Sequence, residues 1–453
     1  MDMYGQKVLT MYQLRGRLIF LLIVIVIIFF LIVYLGLPNE RKEVEDLELE
    51  FQPPSVHVLK SKFSRVTTRP QTSKSTEELY AVIFDAGSTG SRIHIFRFQV
   101  LSGGRLSLVN EIFEQVKPGL SAYADDPKKA ADSLVSMINR ALVEVPSHLQ
   151  KTTPLSLKAT AGLRLLPHGT ADNILNEVTE LLRGYPFHLP QNGIAIMDGE
   201  DEGIFSWMTV NFMLGTLSDG KDTVAAIDMG GGSTQVTLIP MFKETIEKSQ
   251  ADYIKNVSLF SKNYRMYTHS YLHLGLLSAR FTLLGGDNMK GSENVELSSP
   301  CIPPGYSGHW SFGGQEYKIH GGKTHEFGYE NCQHQTKSLV QNSIKPVEEL
   351  GSRIIYIFSY FFDRALEAKL IDKDGGDITV GQFKEAAEAA FRNPDLANPF
   401  HSIDLTYLYS VLHHGYRLPR DKLLHLKKKI NGVEVSWGLG AAFQLLSSVG
   451  LAG

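Results

Sequence analysis

A mixed α/β fold with largely parallel sheets is what this sequence predicts, and three observations carry the expectation. From Glu78 onward, short apolar strand-like runs alternate with helical patterns. A unit made of a buried strand, an aspartate, a turn of glycines and hydroxyl residues, and a second strand occurs twice, with Asp85 and Asp228 lying 143 residues apart. About 375 residues follow position 77, too many for one core of ordinary size, so two duplicated lobes are expected.

The N-terminal elements precede that folded part. Residues 18–36 contain an uncharged run, Leu18 to Leu35, about long enough as a helix to cross a hydrocarbon core. It is longer than a signal-peptide core and no small-residue cleavage pattern follows it, which favours an uncleaved anchor. Lys7, Arg15 and Arg17 precede the run, whereas six acids lie between Glu40 and Glu50. The positive-inside rule then makes 1–17 a cytosolic tail and places the rest in a lumenal or extracellular compartment. Residues 37–77, with Pro53-Pro54 and a Ser/Thr/Lys stretch, read as a stem.

Elements of the folded part follow in order. The first hairpin pairs Ala81–Asp85 with a strand from Ile93 to Phe98. A helical stretch is expected at 126–143, a strand at 155–160, a helix at 170–183, a strand at 193–197 and a helix at about 201–214. The second hairpin pairs Val224–Asp228 with Gln235–Ile239. Helical spacing returns at 272–284, 346–370, 381–391 and 405–413, and a Gly/Pro-rich insertion covers 285–328.

Composition excludes some functions. Net charge is −3, so no basic field points to a nucleic-acid partner. Cys301 and Cys332 are the two cysteines, both on the exported side of the expected anchor, where they can bridge; such a loop would contribute on the order of 3 to 4 kcal/mol. Two free thiols are the alternative. Asn256-Val-Ser258 is an N-glycosylation acceptor made accessible by the same topology.

The chemistry rests on the paired hairpins. Glycines let backbone N–H groups curl around an anion, and Ser and Thr hydroxyls add donors. Aspartates at the strand ends, Asp85 and Asp228, suit a hydrated divalent cation held through water, Mg²⁺ or Ca²⁺. Two such loops facing each other would clamp a polyphosphate and its metal. Ser88 and Ser233 have no nearby His/Asp arrangement, so nucleophilic acyl chemistry is unsupported. His269 and His273, four apart on one expected helix face, form a possible metal pair lacking a third ligand.

Five segments, Phe84–Arg92, Lys158-Ala-Thr160-Ala161-Gly162-Leu-Arg164-Leu-Leu, Asp198-Gly-Glu-Asp-Glu202-Gly203-Ile-Phe-Ser-Trp207, Ile227–Gln235 and Ser436-Trp437-Gly438-Leu-Gly440-Ala441, resemble in type and order the apyrase-conserved regions of the nucleoside triphosphate diphosphohydrolase family. The resemblance covers the chain from Glu78 to the C-terminus. A further stretch, Tyr267 to Arg280, is similar to the lumenal nucleoside diphosphatase branch, and the segment 439–453 is too short and glycine-rich for a second span.

The resemblance implies an actin/Hsp70/sugar-kinase type of fold: two ribonuclease-H-like lobes, 78–203 completed by 436–453, and 204–435. It implies hydrolysis of the terminal phosphate of nucleoside diphosphates such as UDP and GDP in the endoplasmic reticulum or Golgi lumen. Glu202 would be the base that activates water, with Ser233 and Gln235 holding that water by hydrogen bonds. Ser88, Thr89, Gly90, Ser91 and Arg92 would surround the phosphates from one lobe, with Thr160 at the same cleft. Gly230, Gly231, Gly232, Ser233 and Thr234 would do so from the other. Arg92 has an exposed hairpin position as its alternative role, and Glu200, Asp201 and Asp198 read as dipole-compensating or capping acids. Phe362 stands near the family's base-stacking aromatic, although its helical spacing reads as core. Trp437 is read as packing or as part of the metal's outer shell, and Lys427–Lys429 as charged surface. The branch's second cysteine pair has no counterpart near 390–402. A broader nucleoside tri-/diphosphatase (apyrase), a sugar-kinase-like or exopolyphosphatase enzyme on the same fold, and a non-enzymatic lumenal nucleotide-binding protein are the competing functions.

Overall fold

The computed structural model describes residues 77–451, apart from residue 103 and the segments 167–168, 219–222, 260–261 and 288–295. The expected tail and anchor, and the stem up to residue 76, lie outside the described residues. Among the described residues no helix is long and apolar enough to cross a membrane.

The first sheet is built from β1 (Glu78–Ala86), β2 (Ser91–Val100), β3 (Leu106–Val116), β4 (Leu155–Ala159) and β5 (Ile194–Ile196), in the order β3-β2-β1-β4-β5. The β1–β2 and β2–β3 pairs are antiparallel, and β1–β4 and β4–β5 are parallel. The chain then forms β6 (Ala225–Met229), β7 (Ser233–Leu238), β8 (Ile254–Leu259) and β9 (Lys262–Leu272). An insertion holds a separate small sheet of β10 (Glu296–Ser299), β11 (Ser307–Phe312) and β12 (Gln315–Gly321). With β13 (Ile355–Ser359), β14 (Gly376–Thr379) and β15 (Leu423–Leu426), the second large sheet has the order β14-β15-β13-β6-β7-β9-β8. Its inner five strands repeat the first sheet: an antiparallel hairpin pair, a third antiparallel strand, and two parallel strands on the far side of the hairpin.

Both hairpin strands are apolar throughout because both faces are covered. In β1, Tyr80, Val82, Phe84 and Ala86 pack into the outer core, and Ala81 and Ile83 face a central one. In β6, Ala225, Ile227 and Met229 face the opposite outer core, and Ala226 the central one. Each fully buried aromatic or aliphatic side chain contributes roughly 1.5–3 kcal/mol. The central core holds two helices, Gly199–Met213 and Gly438–Ser448, which pack on each other between the sheets. The first is buried around nearly its whole circumference, as an all-round apolar helix requires. The Gly440 N–H donates to Thr209 Oγ1 at 3.0 Å where the two meet. The 203/204 position expected as a lobe boundary falls inside the Gly199–Met213 helix.

The helix Thr170–Arg183 matches its expected bounds, with Asp172 in the first turn and Arg183 in the last to complement its dipole. The 126–143 stretch is two helices, Pro127–Asp132 and Val135–Glu144, the first capped by the Asp126 carboxylate accepting from the Lys129 N–H at 3.1 Å. The expectation of one helix over 346–370 is corrected: the segment is a 3-10 turn, then β13, then the helix Tyr360–Glu367. The helical expectation over 272–284 is also trimmed. Leu272 ends β9 and the helix is Leu276–Leu283, so His269 lies on a strand and His273 in the turn after it.

Cys301 and Cys332 are buried and bonded to each other across 31 residues, tying the insertion to the helix Tyr329–Ser343. Closing a loop of that length stabilises by about 3–4 kcal/mol in the chain-entropy model. The double variant Cys301→Ala/Cys332→Ala is therefore expected to unfold at lower denaturant, with a shift of that size by equilibrium denaturation. No loss under matched conditions would mean that the insertion is held by packing alone. Asn256 is exposed on β8, an edge strand of its sheet.

Candidate active site

The two hairpins turn in the same way. In the first, the Gly87 N–H donates to the Gly90 carbonyl at 3.0 Å; in the second, the Gly230 N–H donates to the Ser233 carbonyl at 3.0 Å. Asp85 and Asp228 occupy equivalent places at the strand ends, and the register sets Arg92 opposite Asp85 but Gln235 opposite Asp228. That one exchange makes the two halves chemically unequal.

In the first hairpin Arg92 Nη1 donates to Asp85 Oδ2 at 2.9 Å. Asp85 is nearly buried, and its Oδ1 has no protein hydrogen-bond partner. Arg92 is thus neither the free hairpin residue nor an uncommitted phosphate ligand; part of its charge is engaged by Asp85. In the second hairpin Asp228 is held by neutral donors, Ser206 Oγ to Oδ2 at 3.0 Å and Ser359 Oγ to Oδ1 at 2.6 Å. Burial raises its pKa, while the Ser359 and Ser206 hydroxyls pull it down.

Glu202 lies in the first turns of the Gly199–Met213 helix, only 6% exposed. Arg164, from the short helix Ala161–Arg164, donates to its Oε2. Gln235 Nε2 lies 3.2 Å from the same oxygen, 2.8 Å from Ser233 Oγ and 3.0 Å from Ser270 Oγ. Gln235 Oε1 is buried without a partner. Burial pushes the Glu202 carboxyl up to about 8 against the pull of Arg164, and the charges of Asp228 and Asp85 push the same way. Asp198, by contrast, is exposed and makes no capping bond.

These groups meet at a cleft of about 470 Å³. Asp85, Ser88, Thr89, Arg92, Thr160, Glu202, Asp228, Gly230, Gly231, Phe362 and Trp437 line it. The loops from the two sheets touch, since a Cβ on Gly231 would stand 2.3 Å from Ser88 Oγ. Gly90, Ser91, Gly232, Ser233, Thr234 and Gln235 are buried just behind this surface. Thr234 Oγ1 is committed to the Asp228 carbonyl at 2.8 Å. Phe362 is 2% exposed and belongs to the core while bordering the cleft; Trp437 likewise packs into the central core. Lys427 and Lys428, read from sequence as surface, also border the cleft.

The carbonyls of the second loop are occupied from behind. Gly230 O accepts from the Leu276 N–H, Gly231 O from Leu277 and Ser278, and Gly232 O from His273. In trans peptides the N–H groups of residues 231–233 then point away from that segment, as anion binding requires. Gly275 allows the approach, since a Cβ there would lie 2.3 Å from the Ser233 backbone nitrogen. Gly275→Ala is expected to displace the loop and lower catalytic turnover more than tenfold, with a lower melting temperature. Wild-type kinetics in the variant would show the loop to be indifferent to that contact.

Comparison with known proteins adds the decisive observation. A family model described as the GDA1/CD39 (nucleoside phosphatase) family matches residues 71–349 and 352–452. The chain belongs to this family. It is 43% identical over 382 residues to the ectonucleoside triphosphate diphosphohydrolase 5 of Gallus gallus, covering 83% of this chain and 89% of that one. It is 39% identical over 383 residues to the nucleoside diphosphate phosphatase ENTPD5 of Homo sapiens, covering 83% and 90%. In fold, it is similar to the crystal structure of nucleoside triphosphate hydrolases from Neospora caninum, with a TM-score of 0.57, 15% identity and coverage of 83% and 93%. The resemblance read from the five motifs is borne out, as is the actin/Hsp70-like α/β fold. As a nucleoside phosphatase family member, the chain has in Arg164, Ser206 and Ser359 three site residues to which sequence reasoning gave no role. Arg164 and Ser206 stood within quoted motifs, but their partners are 38 and 22 residues away; Ser359 lay in a stretch read as helix.

Proposed function

We propose that this protein hydrolyses the terminal phosphate of nucleoside diphosphates such as UDP and GDP, with Glu202 as the base for the attacking water. The observation that carries this reading is Gln235: its amide group bridges Glu202 and Ser233, and its buried Oε1 is unpaired. A water accepting from Ser233 and donating to Gln235 Oε1 and Glu202 would satisfy all three groups and be held in one orientation. Ser88, Thr89 and the backbone N–H groups of the two loops would bind the phosphoryl oxygens. Arg92, anchored by Asp85, would add positive charge on the first side, and Thr160 a hydroxyl.

The residues present also fit a divalent cation, Mg²⁺ or Ca²⁺. Asp85 Oδ1 is an orphaned, buried hard-oxygen acceptor, and three buried carboxylates at one cleft call for positive charge. Asp85 and Asp228 would hold it through water. When bound, such an ion supplies charge neutralisation to the phosphate oxygens. The two sheets with their flanking helices are read as lobes 78–203 with 436–453, and 204–435. Phe362 would offer an apolar wall to the base. The uncharged run at 18–36 would anchor the chain with its catalytic part in the Golgi or endoplasmic reticulum lumen, where Asn256 can carry a glycan and where removing nucleoside diphosphates supports glycosylation.

The test is phosphate release by the full chain from a panel of nucleoside di- and triphosphates and inorganic polyphosphate, with and without chelator. Faster release from diphosphates, stopped by chelator, is expected. Chelator-insensitive release, or equal activity on polyphosphate, would overturn the reading.

A further inference from the structure

Strand passes to helix at Ser359 without a loop: β13 ends there, and the helix Tyr360–Glu367 begins at the next residue. The whole turn is made by Ser359 itself, at φ 58° and ψ −123°. That region of backbone space is essentially reserved for glycine, and a residue with a Cβ is strained in it. On backbone grounds alone glycine would be the better residue. What serine adds is a hydroxyl, and Ser359 Oγ donates to Asp228 Oδ1 at 2.6 Å across 131 residues of sequence.

The surroundings leave little else for that hydroxyl to do. β13 runs parallel beside β6, with Ser359 in register with Met229 and Phe358 with Asp228, so the turn falls next to the carboxylate. The other carboxylate oxygen is taken by Ser206 Oγ. Asp228 and Ser359 both border the cleft. A serine at a strained strand-to-helix turn is also the arrangement of a nucleophile elbow, which needs an imidazole to take its proton. No histidine borders this cleft among the described residues, and the hydroxyl donates to a carboxylate instead.

We propose that Ser359 is a positioning residue that keeps a glycine-type backbone conformation so that its hydroxyl, together with that of Ser206, fixes the orientation of Asp228 toward a hydrated divalent cation. The inference rests on the reading of Asp228 given under the proposed function. Asp85 and Asp228 then differ in support although their places in the two hairpins are equivalent. The first is oriented by a cation, which offsets its charge; the second is oriented by two neutral hydroxyls, which leave its charge available to the metal.

The test compares wild type, Ser359→Gly and Ser359→Ala as full chains. Melting is followed in chelator and across a Mg²⁺ titration, since an ion bound to the native state raises the melting temperature; phosphate release is followed in parallel. Without Mg²⁺, Ser359→Gly is expected to melt about 2–4 °C above Ser359→Ala, because both lack the hydroxyl and only glycine relieves the strain. Both variants should need about tenfold more Mg²⁺ for the half-maximal melting shift, the loss typical of one hydrogen bond to a charged group. Phosphate release should largely recover at saturating Mg²⁺. An unchanged Mg²⁺ midpoint, or a glycine variant no more stable than the alanine variant, would overturn the inference. So would a loss above 1,000-fold that saturating Mg²⁺ does not restore, since Ser359 would then be reacting itself. A wild-type chain indifferent to Mg²⁺ in both measurements would instead overturn the reading of Asp228 and this inference with it.

Discussion

Glu202→Gln is expected to lower kcat for nucleoside diphosphate hydrolysis by about 10²–10⁴-fold, the range that a positioned general base contributes. The substitution keeps shape and leaves an oxygen for Gln235 and Arg164 to bond, but removes the proton acceptor. The pH dependence should change with it. Glu202 must be ionised to act, and in the cation-free protein burial holds its carboxyl up at about 8, well above the ordinary glutamate range. A cation on the neighbouring aspartates lowers that value, so the acid limb of the Mg²⁺-loaded enzyme should fall below pH 8, and Glu202→Gln should remove it. Stability moves in the opposite sense. The folded-state pKa is raised from 4.5 to about 8, so between those values the native state holds a proton that the unfolded chain has released. Wild-type stability therefore falls as pH rises through that window. Glutamine does not titrate, so the variant should gain in melting temperature relative to wild type from pH 4.5 to about 8. Paired melts and kcat/KM profiles across this range check both signs; full activity in the variant would remove Glu202 from its role.

Asp228→Asn should show the second largest effect, raising the Mg²⁺ concentration for half-maximal phosphate release more than tenfold. Two changes combine: half of the aspartate charge facing the cation is lost, and an amide N–H₂ replaces one of the acceptors now served by Ser206 and Ser359. Burial holds the Asp228 pKa above its ordinary value, so its ionised form opposes folding once the pH exceeds the unfolded-state pKa. The metal-free variant should thus be at least as stable as wild type at neutral pH while responding less to Mg²⁺. An unchanged Mg²⁺ titration of phosphate release would place the cation elsewhere.

Much of this site was legible because its parts are local. Each hairpin carries strand, aspartate and glycine turn within a dozen residues, and the helix Thr170–Arg183 announces itself by spacing and end charges. The failures are long-range. Ile355–Ser359 is a five-residue strand buried within a parallel arrangement, and a short apolar run of that kind has no alternation to separate it from a helix. Misreading it hid Ser359, whose partner Asp228 is contributed by a neighbouring strand. Arg164 and Glu202 meet only because β4 and the central helix converge on the cleft. Lys427 and Lys428 look like solvated charge in sequence, and only the placement of the chain after β15 brings them to the cleft wall. Composition fixed none of these pairings, because each depends on which sheet edges and helix ends the topology brings together.

The inequality of the hairpins, with Arg92 opposite one aspartate and Gln235 opposite the other, underlies the proposal that hydrolysis belongs to the second loop. Its most direct test is a single turnover of UDP by the full chain in oxygen-18 water with Mg²⁺. Attack on the terminal phosphorus by a water held at Glu202, Ser233 and Gln235 predicts one labelled oxygen in the released inorganic phosphate and none in UMP, with the labelled phosphate forming about 10²–10⁴-fold more slowly in Glu202→Gln. Label in UMP, or labelled phosphate formed at the wild-type rate by Glu202→Gln, would contradict it.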